Sequence, residues 1–183
     1  DDNPSLSDLQ EGMETEVHGG LDDNGNLTAG AIEIEEAVRG PIDTPLTNGV
    51  LVVMGQTVLV SDTTIIDNNL NLSTATAGTL VEVHGDIHPG GSIIASFIEG
   101  KTAPITYSVR GYVTGTTATT FSIGTLTVQV TGTTDVSDMP SASPTAWTDL
   151  LVKAKSDAAP VTGTLTATKV EPDVITAGTG VYL

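Results

Sequence analysis

Apolar residues alternate with polar ones on a two-residue period through most of the chain, in short runs rich in Val, Ile and Thr and broken by Gly, Asn, Asp and Pro. That pattern predicts short β-strands joined by tight turns, and helical periodicity is almost absent. Met13, Thr15 and Val17 fall on one face of such a run and Glu14, Glu16 and His18 on the other, which predicts a half-buried strand. Thr79 to His84 reads the same way, with Thr79, Val81 and Val83 inside and Glu82 and His84 outside. A turn follows each run, Asp22-Asp23-Asn24-Gly25-Asn26 in one case and His88-Pro89-Gly90-Gly91 in the other, so each predicts a hairpin. The returning strands carry Leu27, Ala29 and Ile32, then Ile93, Ala95 and Ile98, then Leu165, Ala167 and Val170. A spacing of two and then three moves the apolar face out of phase, which predicts a β-bulge.

These matches are parts of an internal repeat. Thr79 to Glu99 is nearly copied by Met13 to Glu33, with Asp1 on Asp67, Gly12 on Gly78, His18 on His84 and Ile32 on Ile98; Leu151 to Val170 is a decayed third copy. Self-similarity of this kind governs the fold. Two copies also have a front half. One runs from Arg39-Gly40-Pro41-Ile42 through Gly49 to Met54 and on to Asp67, the other from Arg110-Gly111-Tyr112-Val113 through Thr120 to Ile123 and on to Val136. The expectation is an all-β chain of tandem five-stranded, OB-like small barrels. Residues 1–38 are a half repeat, 39–107 a complete barrel, 108–172 a complete but diverged barrel, and 173–183 a C-terminal strand tail. The insertion Ser137 to Ala146 reads as a flexible loop, and Thr148 to Lys155 as a helical turn that is partly strand.

Composition narrows the chemistry. The chain has 23 Asp and Glu against 6 Lys and Arg, for a formal net charge of -17, a sign that argues against nucleic acid as a partner. It has no cysteine, hence no disulfide and no thiolate site, and no apolar run of membrane-spanning length. A chain opening on Asp1 reads as a processed product or a piece of something longer.

Candidate sites are sparse. His18, His84 and His88 could hold a metal with Glu16 or Glu82, or could simply be polar strand ends. Asp22, Asp23 and Asn24, with Asn26, offer oxygen ligands for calcium, although Asn24-Gly25 also reads as a plain hairpin turn. Glu33, Glu35 and Glu36 read as the solvated face of a strand. Aromatic residues are 3% of the chain, too few for a stacking platform, and no nucleophile elbow or phosphate loop stands out, so no enzymatic activity is expected.

The order of a Gly-Xaa-Val/Ile start, a Val-rich strand ending in Thr, the VEVHG strand, a turn and the LTAxxI strand resembles the small β-barrel repeat of unknown function, the DUF 5666 type, of secreted bacterial proteins and lipoproteins. The resemblance implies tandem barrels of the oligonucleotide/oligosaccharide-binding type outside the cytoplasm and carries over no catalytic residue. Lys153 and Lys155 stand where Glu82 and His84 stand in the preceding copy, so a shared site on that face is not implied for the third copy.

The chain thus begins with the back half of a barrel and ends with a piece of a front. Ile175 can be laid on Ile42, and Gly180 to Leu183 on Gly49 to Val52. The expected function is a non-enzymatic extracellular or cell-surface protein, with the periplasm as the alternative compartment. Copies would assemble into a homo-oligomer or homopolymer as Val174, Ile175, Val181, Tyr182 and Leu183 of one fill the open face of Met13, Val17, Leu27 and Ile32 in the next. The alternatives are a tandem-barrel spacer contacting other extracellular proteins and a cation-binding module. No cofactor is expected, apart from the calcium alternative.

Overall fold

The computed structural model describes residues 6–88 and 90–173 and places strands where the two-residue period runs. In chain order they are β1 (Glu14–Leu21), β2 (Leu27–Glu35), β3 (Val38–Thr47), β4 (Val50–Val53), β5 (Gln56–Leu59), β6 (Ile65–Ile66), β7 (Leu80–Ile87), β8 (Ser92–Gly100), β9 (Tyr107–Tyr112), β10 (Thr120–Ile123), β11 (Leu126–Gln129), β12 (Leu151–Ser156), β13 (Thr164–Thr166) and β14 (Lys169–Pro172). The described residues hold no α-helix, only 3-10 turns at Leu6–Asp8 and Pro144–Ala146. No helix among them could cross a membrane.

The first complete unit closes on itself in the order β3-β4-β5-β8-β7-β3. All these pairings are antiparallel except β5 with β8, which is parallel. Five strands in this order make the OB-like barrel that the repeat predicts. Inside it lie Ile42, Leu51, Val58, Val81, Val83, Ile93 and Ile98, all buried.

The second unit repeats the ring with its last strand broken in two. β13 pairs in parallel with β11 while β14 pairs with β12, and a single bridge, Thr114 to Ser122, joins the β9 side to β10. Repeat-equivalent hydroxyls hold equivalent places: Thr64 Oγ1 donates to Ala95 O at 2.8 Å, and Thr134 Oγ1 to Ala167 O at 2.7 Å.

The predicted bulge occurs twice, and it explains the repeated His-Gly. Register slips between His18 and Gly19 opposite β2, and between His84 and Gly85 opposite β8. At that step the opposite carbonyl comes so close that a Cβ on Gly19 would lie 2.2 Å from Thr28 O, and one on Gly85 2.1 Å from Ile94 O. Gly85 also has φ +149°. Ser156 takes this place in the third copy, where the opposite strand is interrupted. Gly85→Ala is therefore expected to lower stability by more than about 1 kcal/mol, read as a shifted urea midpoint. An unshifted midpoint would refute the close-approach account.

The barrels are joined edge to edge. β3 pairs with β9 through Val38 to Val109 and Arg39 to Ser108, and Gln56 Nε2 donates to Ile123 O at 2.8 Å across the same junction. The half unit is different, because among the described residues β1 and β2 form a two-stranded sheet with no further strand. Val17 is 44% exposed, whereas its repeat equivalent Val83 is 0% exposed. Met13 and Ile32 are half-buried, and the side chain of Leu27 lies outside the described residues.

Several expectations are corrected. β1 is exposed along its length instead of half-buried, because among the described residues no strand beyond β2 pairs with the hairpin. Glu82 and His84 are buried, not outside, because the Glu35 carbonyl of the linker lies against His84 and Arg39 and Lys101 close on Glu82. Glu36 is buried rather than solvated because Lys153 and Ser108 of the second barrel close on it. The segment read as a flexible loop folds onto the second barrel, burying Met139, Pro144 and Trp147, and Leu151 to Lys155 is strand. Val174, Ile175, Val181, Tyr182 and Leu183, and the Pro89 of the turn, lie outside the described residues.

Candidate functional site

Two features adjoin each other on one side of the molecule: the open hairpin β1–β2 and a charged seam where the linker Glu35 to Ala37 enters between the barrels. The seam begins with β-pairing. Arg39 on β3 stands directly opposite Glu82 on β7, and Glu82 stands opposite Glu99 on β8. The Arg39 guanidinium donates to Glu82, and Lys101 Nζ reaches Glu82 at 3.2 Å and Glu99 at 2.7 Å. Two carboxylates placed opposite each other would repel, and these two cations remove that cost.

Glu36 is the centre of the seam. Its carboxylate lies 3.2 Å from Lys153 Nζ and 3.5 Å from Arg39, and it accepts the Ser108 hydroxyl hydrogen bond. Glu35 meets Lys153 at 3.3 Å and Arg110 at 3.8 Å, and Arg110 also binds Asp173 at 2.9 Å and Glu14 at 3.3 Å. The charges of Lys155 and Lys169 converge on Glu171, at 2.9 Å for Lys155. All six Lys and Arg side chains of the chain are thus held in ion pairs around the seam.

Burial pushes the Glu36 carboxyl up, but Lys153, Arg39 and Ser108 outweigh it and hold the group below its ordinary value. Burial likewise opposes Glu82, and the His84 bond, Arg39 and Lys101 overcome it by a wide margin. Glu14 goes the other way, because its desolvation exceeds what Arg110 returns. Beside these groups is a cleft of about 540 Å³ whose walls include Glu33, Arg39, Ser108, Lys155, Lys169 and Glu171. It is a polar cleft whose cations already have carboxylate partners.

The residues singled out from sequence scatter. His84 is buried, with Nδ1 2.8 Å from Glu35 O and Nε2 3.1 Å from Glu82. His18 is half-exposed on the open hairpin, 3.5 Å from Glu16 and 3.7 Å from Glu33, and His88 sits in its exposed turn. Among the described residues, Glu82, His84 and Glu99 form a group that could hold a metal. Arg39 and Lys101 already neutralise those carboxylates, so an ion would have to displace two bound cations. The Asp22 carboxylate accepts from Asn24 N, Asn26 N and Asn26 Nδ2 at 2.8–3.0 Å, a self-satisfied turn that supports the hairpin reading over calcium.

Sequence reasoning passed over Arg39, Arg110, Lys153, Ser108 and Trp147. One signal was legible: both front halves open on Arg-Gly in a chain with very few basic residues.

A family model described as Domain of unknown function (DUF5666) matches twice, over residues 39–99 and 110–171, which together are more than half of the chain. No curated protein matches the chain, and no solved structure does.

Proposed function

The chain belongs to the DUF5666 family, and from that premise we propose that it is a non-enzymatic structural module whose copies join head to tail by β-strand complementation. The single observation that carries this reading is the contrast between Val17, 44% exposed on a hairpin that no third strand joins among the described residues, and Val83, fully buried at the same place in a closed ring. A hairpin of this kind lacks only the front strands that β3, β4 and β5 supply in the first barrel. Adding them gains main-chain hydrogen bonds and covers apolar surface. Residues 174–183 are the donor that this chain offers: Ile175 matches Ile42 and Tyr182 matches Leu51, both core positions. An extracellular setting follows from the resemblance to secreted repeats.

The test is native mass against concentration for three chains: the wild type, one lacking 174–183, and Val17→Asp. Val17 is exposed in the single molecule, so an Asp there changes its stability by no more than about 0.5 kcal/mol. In a completed barrel the same Asp would be a buried charge. Oligomers are expected from the wild type and monomers from both variants, at unchanged melting temperature. Identical masses for all three would sink head-to-tail joining. The remaining reading would then be a rigid spacer, which the β3–β9 pairing and the ion pairs across the seam favour.

A further inference from the structure

The open hairpin carries a charge pattern as well as an apolar face. Glu16 stands opposite Glu33 and Glu14 opposite Glu35, so like charges face each other across the two strands. Glu16, His18 and Glu33 are the repeat equivalents of Glu82, His84 and Glu99. In the first barrel that group is neutralised by Arg39 from the front strand and by Lys101. In the half unit Lys101 is replaced by Glu35, whose charge is spent on Lys153 and Arg110, and among the described residues no strand brings an equivalent of Arg39. None of the six Lys and Arg side chains pairs with Glu16 or Glu33; among the described residues His18 alone forms an ion-pair contact with them.

Resting on the strand-addition reading, we infer that the hairpin selects a donor of defined chemistry: the front strand of a DUF5666 repeat with a basic residue at the register of Arg39. Closing the barrel puts a front-strand residue directly opposite Glu16, as Arg39 stands opposite Glu82 in the first barrel. A donor without a cation leaves the facing carboxylates of Glu16 and Glu33 to repel each other, and a donor with one forms a charge-assisted hydrogen bond in place of repulsion. Both front halves of this chain meet the requirement, through Arg39 and Arg110. Residues 174–183 contain no Lys or Arg, so as a donor they fit the apolar face and leave the charge unmet.

The test titrates three peptides into the full chain at fixed ionic strength: residues 38–60, the same peptide with Arg39→Gln, and residues 174–183. Binding is followed by amide exchange of β1 and β2. The Arg peptide is expected to bind about tenfold more tightly than its Gln form. It should also bind more tightly than 174–183. In a chain with Glu16→Gln and Glu33→Gln the gap between the Arg and Gln forms should close. Equal binding of these two forms to the wild-type chain, or a gap that survives in the double variant, would overturn the selection rule while leaving strand addition intact. No protection by any peptide would overturn both.

Discussion

Glu36→Ala is expected to destabilise the protein by about 3 kcal/mol, at the lower end of the cost of breaking a buried ion pair. Glu36 is 3% exposed and binds Lys153, Arg39 and the Ser108 hydroxyl at once. Its removal leaves Lys153 with Glu35 alone and Arg39 with Glu82 alone, and strands the hydroxyl. The remaining partners keep the loss from being larger. Most of that cost is the unpaired charge left behind, so Glu36→Leu combined with Lys153→Met should recover a good part of it. Chemical denaturation gives both values. A single variant within about 0.5 kcal/mol of wild type would show that the seam does not hold the barrels together.

The same groups set the acid limit. Glu36, Glu82 and Glu171 have folded pKa values below their unfolded ones. Each therefore contributes stability that is complete above the ordinary glutamate value of about 4.3 and is lost as pH falls through the lowered folded value. Glu14, raised by burial, has the opposite sign: its contribution is present at low pH and fades as pH rises through its folded value. These lowered carboxyls outweigh the raised one and give unfolding on the acid side, and Glu36→Gln should make stability less dependent on pH there.

Trp147→Ala is expected to cost about 3–5 kcal/mol, the usual range for deleting a fully buried large aromatic. Trp147 is wholly buried, meets Phe121 edge-on with ring centroids 5.4 Å apart, and donates from Nε1 to Ser141 O at 2.8 Å. The first barrel has a shorter connection, in which Leu72 is the buried residue. In the second barrel the longer insertion is therefore ordered by its own hydrophobic anchor. Trp147→Phe, which keeps most of the volume and loses the hydrogen bond, should fall between the two. An alanine variant that melts with the wild type would mean that the loop is not part of the core.

Much of this was legible from alternation and repetition. The two-then-three spacing of Ala95 and Ile98 announced the bulge, whereas the close backbone approach at Gly19 and Gly85 emerged only from the structure. The reading of Glu82 and His84 as outward-facing was right about the strand's two faces and wrong about their surroundings. Alternation divides a strand into sides; it does not say whether other groups of the chain cover the polar one. Glu36 looked like the end of an acidic strand face because its partners, Lys153 and Ser108, are far away in sequence. Trp147 looked like a loop residue because Pro, Ser and Asp surround it.

The amino-acid order by itself determined the all-β class and the repeat, since these follow from local period and self-similarity. Tertiary structure decided where the few basic residues go and which carboxylates are desolvated. Those are properties of distant strands brought side by side, and the energy of a charge depends on what surrounds it in space rather than on its neighbours along the chain.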